Sequence, residues 1–157
     1  MSRTTLGAFL ATGLLALAGC GGTDQITEQA VEEASGGEVK IDKDGDKTKI
    51  EVAGQELENQ QGGLVDGFPE DFPMPDDFEV ETSTKTQGKY QAFGSIPSSD
   101  DTFAFYKDQL AGDGWKISVA STAGAGSFQI VATKGGREAV VGSSPANEGA
   151  NLTIVVG

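Results

Sequence analysis

Histidine is absent from this 157-residue chain, cysteine and tryptophan occur once each, and aromatic residues make up only 7% of it. The missing histidine removes imidazole general bases and the hydrolytic triads built on them. One cysteine cannot close an intramolecular disulfide, and without histidine the usual zinc ligand sets cannot be assembled. Carboxylates, hydroxyls, lysines and the backbone are what remains for chemistry. No pair of acids stands out from the solvated charge around it. The chain therefore reads as non-catalytic, with no metal and no other cofactor, and a carboxylate-based enzyme is the weakest reading.

Basic residues are also few. Lys plus Arg number 11 against 24 Asp plus Glu, a formal net charge of −13. Such a surface repels phosphates, which argues against nucleic acid as a partner, and it favours solubility, cations or basic partners. Asp42-Lys43-Asp44-Gly45-Asp46 spaces carboxylates like the start of a calcium loop. Lys47 and Ala53 then stand where such a loop needs its glycine and its bidentate glutamate, so this stretch reads as a solvated turn.

A membrane-length apolar run is missing too. The longest, Leu6 to Ala18, is shorter than the roughly 20 residues of a spanning helix. It follows Arg3 and reads as the apolar part of an export signal. Ala18 and Gly19 are small, as a peptidase with a narrow pocket requires, and Cys20 follows. Leu17-Ala18-Gly19-Cys20 resembles the lipobox of bacterial lipoproteins. That resemblance implies cleavage between Gly19 and Cys20, diacylglycerol on the Cys20 thiol and often acylation of the new amine. Each chain adds about 0.8 kcal/mol per buried CH₂, and two or more hold firmly. The expectation is a cell-envelope protein on the extracytoplasmic side, attached to a membrane through lipid on Cys20.

Five segments follow: a cleaved signal over 1–19, a lipidated tether over 20–23, a helix plus β-hairpin over 24–53, a linker over 54–67 and a main domain over 68–157. Ile26, Ala30, Val31 and Ala34 give a weak helical stripe. Val39 and Ile41, then Ile50 and Val52, alternate on either side of Asp44-Gly45, as in a hairpin. Gly54 to Gly67 is polar and glycine-rich and reads as loop. Pro69, Pro73 and Pro75 then forbid a central strand or helix. Extended, polyproline-like chain is predicted there, with Phe68, Phe72 and Met74 as pegs into a core. A proline-rich ligand for a partner groove is the functional alternative.

Strands are predicted from Phe78 and from Lys89, the second interrupted at Gly94 by a bulge. Ser98 to Ala111 is the strongest helix. Ser98 or Ser99 caps it, Asp100 and Asp101 suit its positive end, and Gly112 and Gly114 stop it. Phe103, Tyr106 and Leu110 form one stripe, with Trp115 folding back over the helix end. These four residues either are plain core or line an apolar pocket between helix and sheet. Phe105 lies about 200° round from Phe103 and is either covered by another element or exposed as a contact residue. Four more strands follow, from Trp115, Phe128, Arg137 and Asn151, with a loop over Ser143 to Gly149.

From Phe68 onward the chain resembles a set of uncharacterised small bacterial lipoprotein domains, through Phe68 to Pro75, Phe105-Tyr106, Leu110 and Gly114-Trp115. The fold expected is α+β: one helix packed on an antiparallel sheet in the order β-β-α-β-β-β-β, preceded by a small helix–hairpin unit. The function expected is a binding or interaction module for an envelope protein or ligand. The alternative is a carrier of a lipid or small apolar ligand held between helix and sheet.

Overall fold

The computed structural model describes residues 39–52, 54–124 and 126–157. The signal segment, Gly19, Cys20, the tether and the helix expected over 24–35 lie outside these residues. The described chain forms one antiparallel sheet of nine strands in the spatial order β1-β2-β3-β4-β5-β9-β8-β7-β6. In sequence these are β1 (Val39–Asp44), β2 (Lys47–Val52), β3 (Gln55–Gln61), β4 (Glu79–Thr86) and β5 (Lys89–Ile96). Helix α1 (Ser99–Gly112) follows, then β6 (Lys116–Thr122), β7 (Phe128–Lys134), β8 (Arg137–Pro145) and β9 (Ala150–Val156). Helix α1 carries the chain from β5 to the far edge at β6. Three hairpin connections bring it back until β9 closes against β5.

The core is a band of residues in register across the sheet. Ala92, Ile154, Val141 and Ile130 form one row, and Tyr90, Val156, Ala139 and Ala132 the next. The first row is mostly branched aliphatic, and the second falls in size from Tyr90 through Val156 to Ala139 and Ala132. Ile130, Val141, Leu152, Ile154 and Val156 are fully buried. Along β9, Ala150, Leu152, Ile154 and Val156 are buried while the residues between them are half-buried. That is the period-two pattern of a sheet with one covered face.

The α+β architecture is present, with one helix on the sheet, and β4 onward keeps the expected element order. The hairpin over 39–52 is not a separate unit, because it continues the sheet. Residues 55–61, read from the sequence as linker, form β3, paired to β2 and β4 along its length. Polar composition did not prevent this, since cross-strand partners satisfy the side chains. Glu58 stands opposite Lys49 and Lys85. Lys49 Nζ is 2.6 Å and Lys85 Nζ 3.7 Å from its carboxylate. The bond from Lys49 holds the Glu58 carboxyl below its ordinary value and raises Lys49 in turn. β8 likewise runs through Ser143–Pro145, where loop was expected, because these residues pair with β9.

Two irregularities shape the sheet. Register shifts between Ile117 and Val119, so β6 turns over and leaves Val119 39% exposed rather than continuing the alternation from Trp115. Register also shifts in β4 between Val80 and Thr82, opposite Gly94. A Cβ on Gly94 would stand 1.9 Å from the Glu79 carbonyl oxygen. That contact is with backbone, so it cannot be relieved by a side-chain rotation. Gly94→Ala is expected to destabilise the domain by about 3 kcal/mol or more, at or above the usual range for overpacking. A denaturant melt showing less than about 1 kcal/mol would mean that the bulge yields.

Candidate functional site

Between β3 and β4 the chain crosses the covered face of the sheet as a strap, residues 62–78. It is not polyproline-like as the sequence reading has it. The Phe68 amide bonds to the Val65 carbonyl, Phe72 to Pro69 and Phe78 to Pro75. Each of these turns ends on a phenylalanine. Phe68 and Phe72 are buried, and Phe78 and Met74 pack partly against the core. The start of the strap is pinned by Ser83, which accepts from the Val65 amide at 2.8 Å and donates to the Gly63 carbonyl at 2.7 Å.

Helix α1 covers the adjoining part of the face. The Ser98 hydroxyl caps it, accepting from the Asp101 amide at 3.2 Å. Its C-terminus closes through bonds from the Gly114 amide to Ala111 and from the Trp115 amide to Leu110. Gly114 has φ +80 there, the left-handed turn that carries the chain from helix into strand. This closure sets Trp115 against the end of the helix.

Strap and helix meet at an aromatic cluster. Phe72 lies 5.5 Å from Trp115, edge to face, and 6.0 Å from Tyr106. The buried stripe of α1 is Ser99, Thr102, Tyr106 and Leu110. Phe103 sits on one flank of it, half-buried, beside Phe128 at 5.4 Å. Phe105 sits on the other flank, also half-buried, edge-on to Tyr106 at 5.2 Å. Of the four residues proposed for an apolar pocket, Tyr106 and Leu110 are fully buried and Trp115 is 4% exposed. All four belong to or pack on the one hydrophobic cluster, and Phe72 fills the space between Tyr106 and Trp115.

Polar groups are left over in that packing. The Tyr106 hydroxyl and the Trp115 indole N–H are buried without a hydrogen-bond partner. An unmet buried donor costs about 1–3 kcal/mol, so leaving two in one cluster is a real expense in stability. Burial also pushes the Tyr106 phenol well above its usual range, so it stays a donor at any physiological pH.

Outside the cluster the strap is held by charge. Arg137 grips Asp71 with both terminal nitrogens, one at 2.8 Å, and Lys134 approaches the same carboxylate at 3.5 Å. Both cations also lie over the Trp115 ring, Arg137 at 5.3 Å and Lys134 at 5.8 Å from its centre. Asp71, Lys134 and Arg137 therefore roof the tryptophan, and none of them was marked as a site residue from the sequence. The sole signal was an acid among the pegs of a proline-rich stretch, and nothing in sequence spacing joins position 71 to 137. Beside this roof a cleft of about 470 Å³ opens between strap and helix, with Glu70, Met74, Phe105, Gln109 and Asp113 along it.

Among the described residues no three acid, histidine or cysteine side chains gather where they could hold a metal ion. No helix among them is long and apolar enough to cross a membrane.

Residues 77–149 match a family model described as START domain-like. The match takes in β4, β5, α1 and β6 to β8, just under half of the chain. It leaves out β1 to β3, all but the last two residues of the strap, and strand β9, which pairs with β5 and β8. No curated protein and no solved structure gives a significant match.

The Arg137 guanidinium holds the Asp71 carboxyl down to about 2, against an ordinary 3.8. Its folded value lies below its unfolded one. The stability it contributes is therefore complete above about pH 4 and is lost as pH falls through about 2. Thermal melts of the wild type should show that decline, and Asp71→Asn should flatten it while lowering the melting temperature at neutral pH. Parallel acid limbs in the two proteins would mean that the pair is not coupled to folding.

Proposed function

We propose that this chain is a non-catalytic, ligand-binding module of the cell envelope, tethered on the extracytoplasmic side by lipid on Cys20. The site is the junction of strap, helix and sheet. The observation that carries the reading is the pair of unmet buried donors, Tyr106 O–H and Trp115 N–H, on either side of Phe72. A ligand with an apolar body and a hydrogen-bond acceptor supplies what these groups lack once Phe72 swings aside. The START-like match over residues 77–149 is compatible with a binding module of this kind. The apolar surroundings favour a small apolar or lipid-like ligand over a polar one, because burial of apolar surface then drives binding at about 25 cal/mol per Å².

The hydroxyl gives a test that separates binding from folding. Tyr106→Phe removes an unsatisfied group, so the free protein should gain about 1 kcal/mol of stability. The same change should cost it the ligand. Native mass spectrometry of the wild-type chain taken from its own membranes in detergent should show an added mass, reduced in Tyr106→Phe and in Trp115→Phe. A wild-type protein that never carries added mass contradicts the ligand reading.

The tether is tested separately. Cys20→Ser should abolish lipid attachment and release or stall the protein. A variant that stays membrane-bound and fully processed would disprove the anchor.

A further inference from the structure

Phe105 is a half-buried ring on the wall of the cleft, and it is not among the rings that carry a cation. Lys85 lies over Tyr90 at 5.7 Å, Lys107 over Phe103 at 5.4 Å, and Lys134 and Arg137 over Trp115. Among the described residues no cation lies over Phe105, although its ring is half-buried on the wall of the 470 Å³ cleft. The charges around it are unbalanced. Among the described residues Lys134 is the one cation on the cleft wall, and Asp71 occupies it. Glu70 and Asp113 are exposed and have no ion pair among the described residues. Asp113 also caps the C-terminus of α1, whose last turn holds no basic residue. The negative end of a helix favours a cation and disfavours an acid. The acid there adds to the negative field of the cleft at some cost to the helix.

We infer that this cleft docks a basic segment of a partner protein, with an arginine or lysine laid over Phe105 and its charge met by Glu70 and Asp113. A cation over an aromatic face gains most when its stem is covered, and Met74 and Pro73 supply apolar wall beside the ring. The cleft is too large for one side chain alone, which favours a segment over a free organic cation. The net charge of −13 would speed the encounter with a basic partner and make it salt-dependent. The cleft shares Phe72 with the buried site, but its proposed contacts, Phe105, Glu70 and Asp113, are not the buried donors.

The probe is a fluorescein-labelled peptide, Leu-Arg-Leu-Arg-Leu, titrated by anisotropy against the full-length lipidated protein in nonionic micelles, with empty micelles as blank. Saturable binding is expected, absent for Leu-Glu-Leu-Glu-Leu and weakened by added salt. Phe105→Ala should weaken it about tenfold, the scale of one cation–aromatic contact. Asp113→Lys should weaken it at least as much while leaving the fold intact, since it places a base at the helix C-terminus. Asp76→Lys, on an exposed turn away from the cleft wall, should have little effect. The inference is overturned if the peptide does not bind. It is also overturned if Asp76→Lys acts as strongly as Asp113→Lys, or if arginine amide alone binds as tightly as the peptide. Ligand retention in native mass spectra should be unchanged in Asp113→Lys, so failure here is separable from failure of the buried site.

Discussion

A single helix covers a strip about 10 Å wide, while neighbouring strands stand about 4.8 Å apart. The buried band of this sheet crosses β5, β9, β8 and β7, so one helix leaves part of it bare. The strap over residues 62–78 covers the remainder, and the fold depends on where it is fastened. Phe72 enters between Tyr106 and Trp115, and Asp71, the residue before it, is gripped by Arg137 from β8. A buried ring and an adjacent charge pair thus fix the same point of the chain. The ring supplies burial. The exposed pair supplies direction more than energy, since exposed ion pairs contribute little.

Beyond that covered region the sheet continues as β1 to β3 with little apolar material. These strands hold together by pairing across the sheet. Lys49, Glu58 and Lys85 lie side by side on three neighbouring strands, and Asn59 donates to the Thr82 hydroxyl at 3.2 Å. Lys47 reaches Asp66 at 3.0 Å, tying the meander to the start of the strap. The extension therefore lengthens the sheet and steadies the segment that closes the core.

Most of the fold from β4 onward was legible in the sequence, because alternation, glycine turns and helix caps are local signals. Ser98 and the Gly112 to Gly114 stop are examples, whereas the bulge expected at Gly94 falls in the facing strand β4, between Val80 and Thr82. Strand β3 was not legible, since Gln-Glu-Leu-Glu-Asn-Gln-Gln is strand-like only when the partners across from it are known. The prolines of the strap correctly excluded helix and strand, but they concealed a series of turns set by bonds to the Val65, Pro69 and Pro75 carbonyls. Phe103, Tyr106, Leu110 and Trp115 were recognised as a group. That Phe72 occupies the space among them, and that Asp71 and Arg137 hold it there, depends on long-range contacts that no spacing encodes. Helical periodicity leaves Phe105 either covered or exposed; it is half-buried on the wall of a cleft.

The proposed ligand site requires that Phe72 of the strap be what closes off the two buried donors, Tyr106 O–H and Trp115 N–H. Trp115 is the only tryptophan in the chain, so fluorescence reports this point alone. Acrylamide quenching should be weak in the wild type and several-fold stronger in Phe72→Ala, with the far-ultraviolet circular dichroism of the two proteins alike. Equal quenching in two equally folded proteins would contradict the account, because Phe72 would then not be what closes the site.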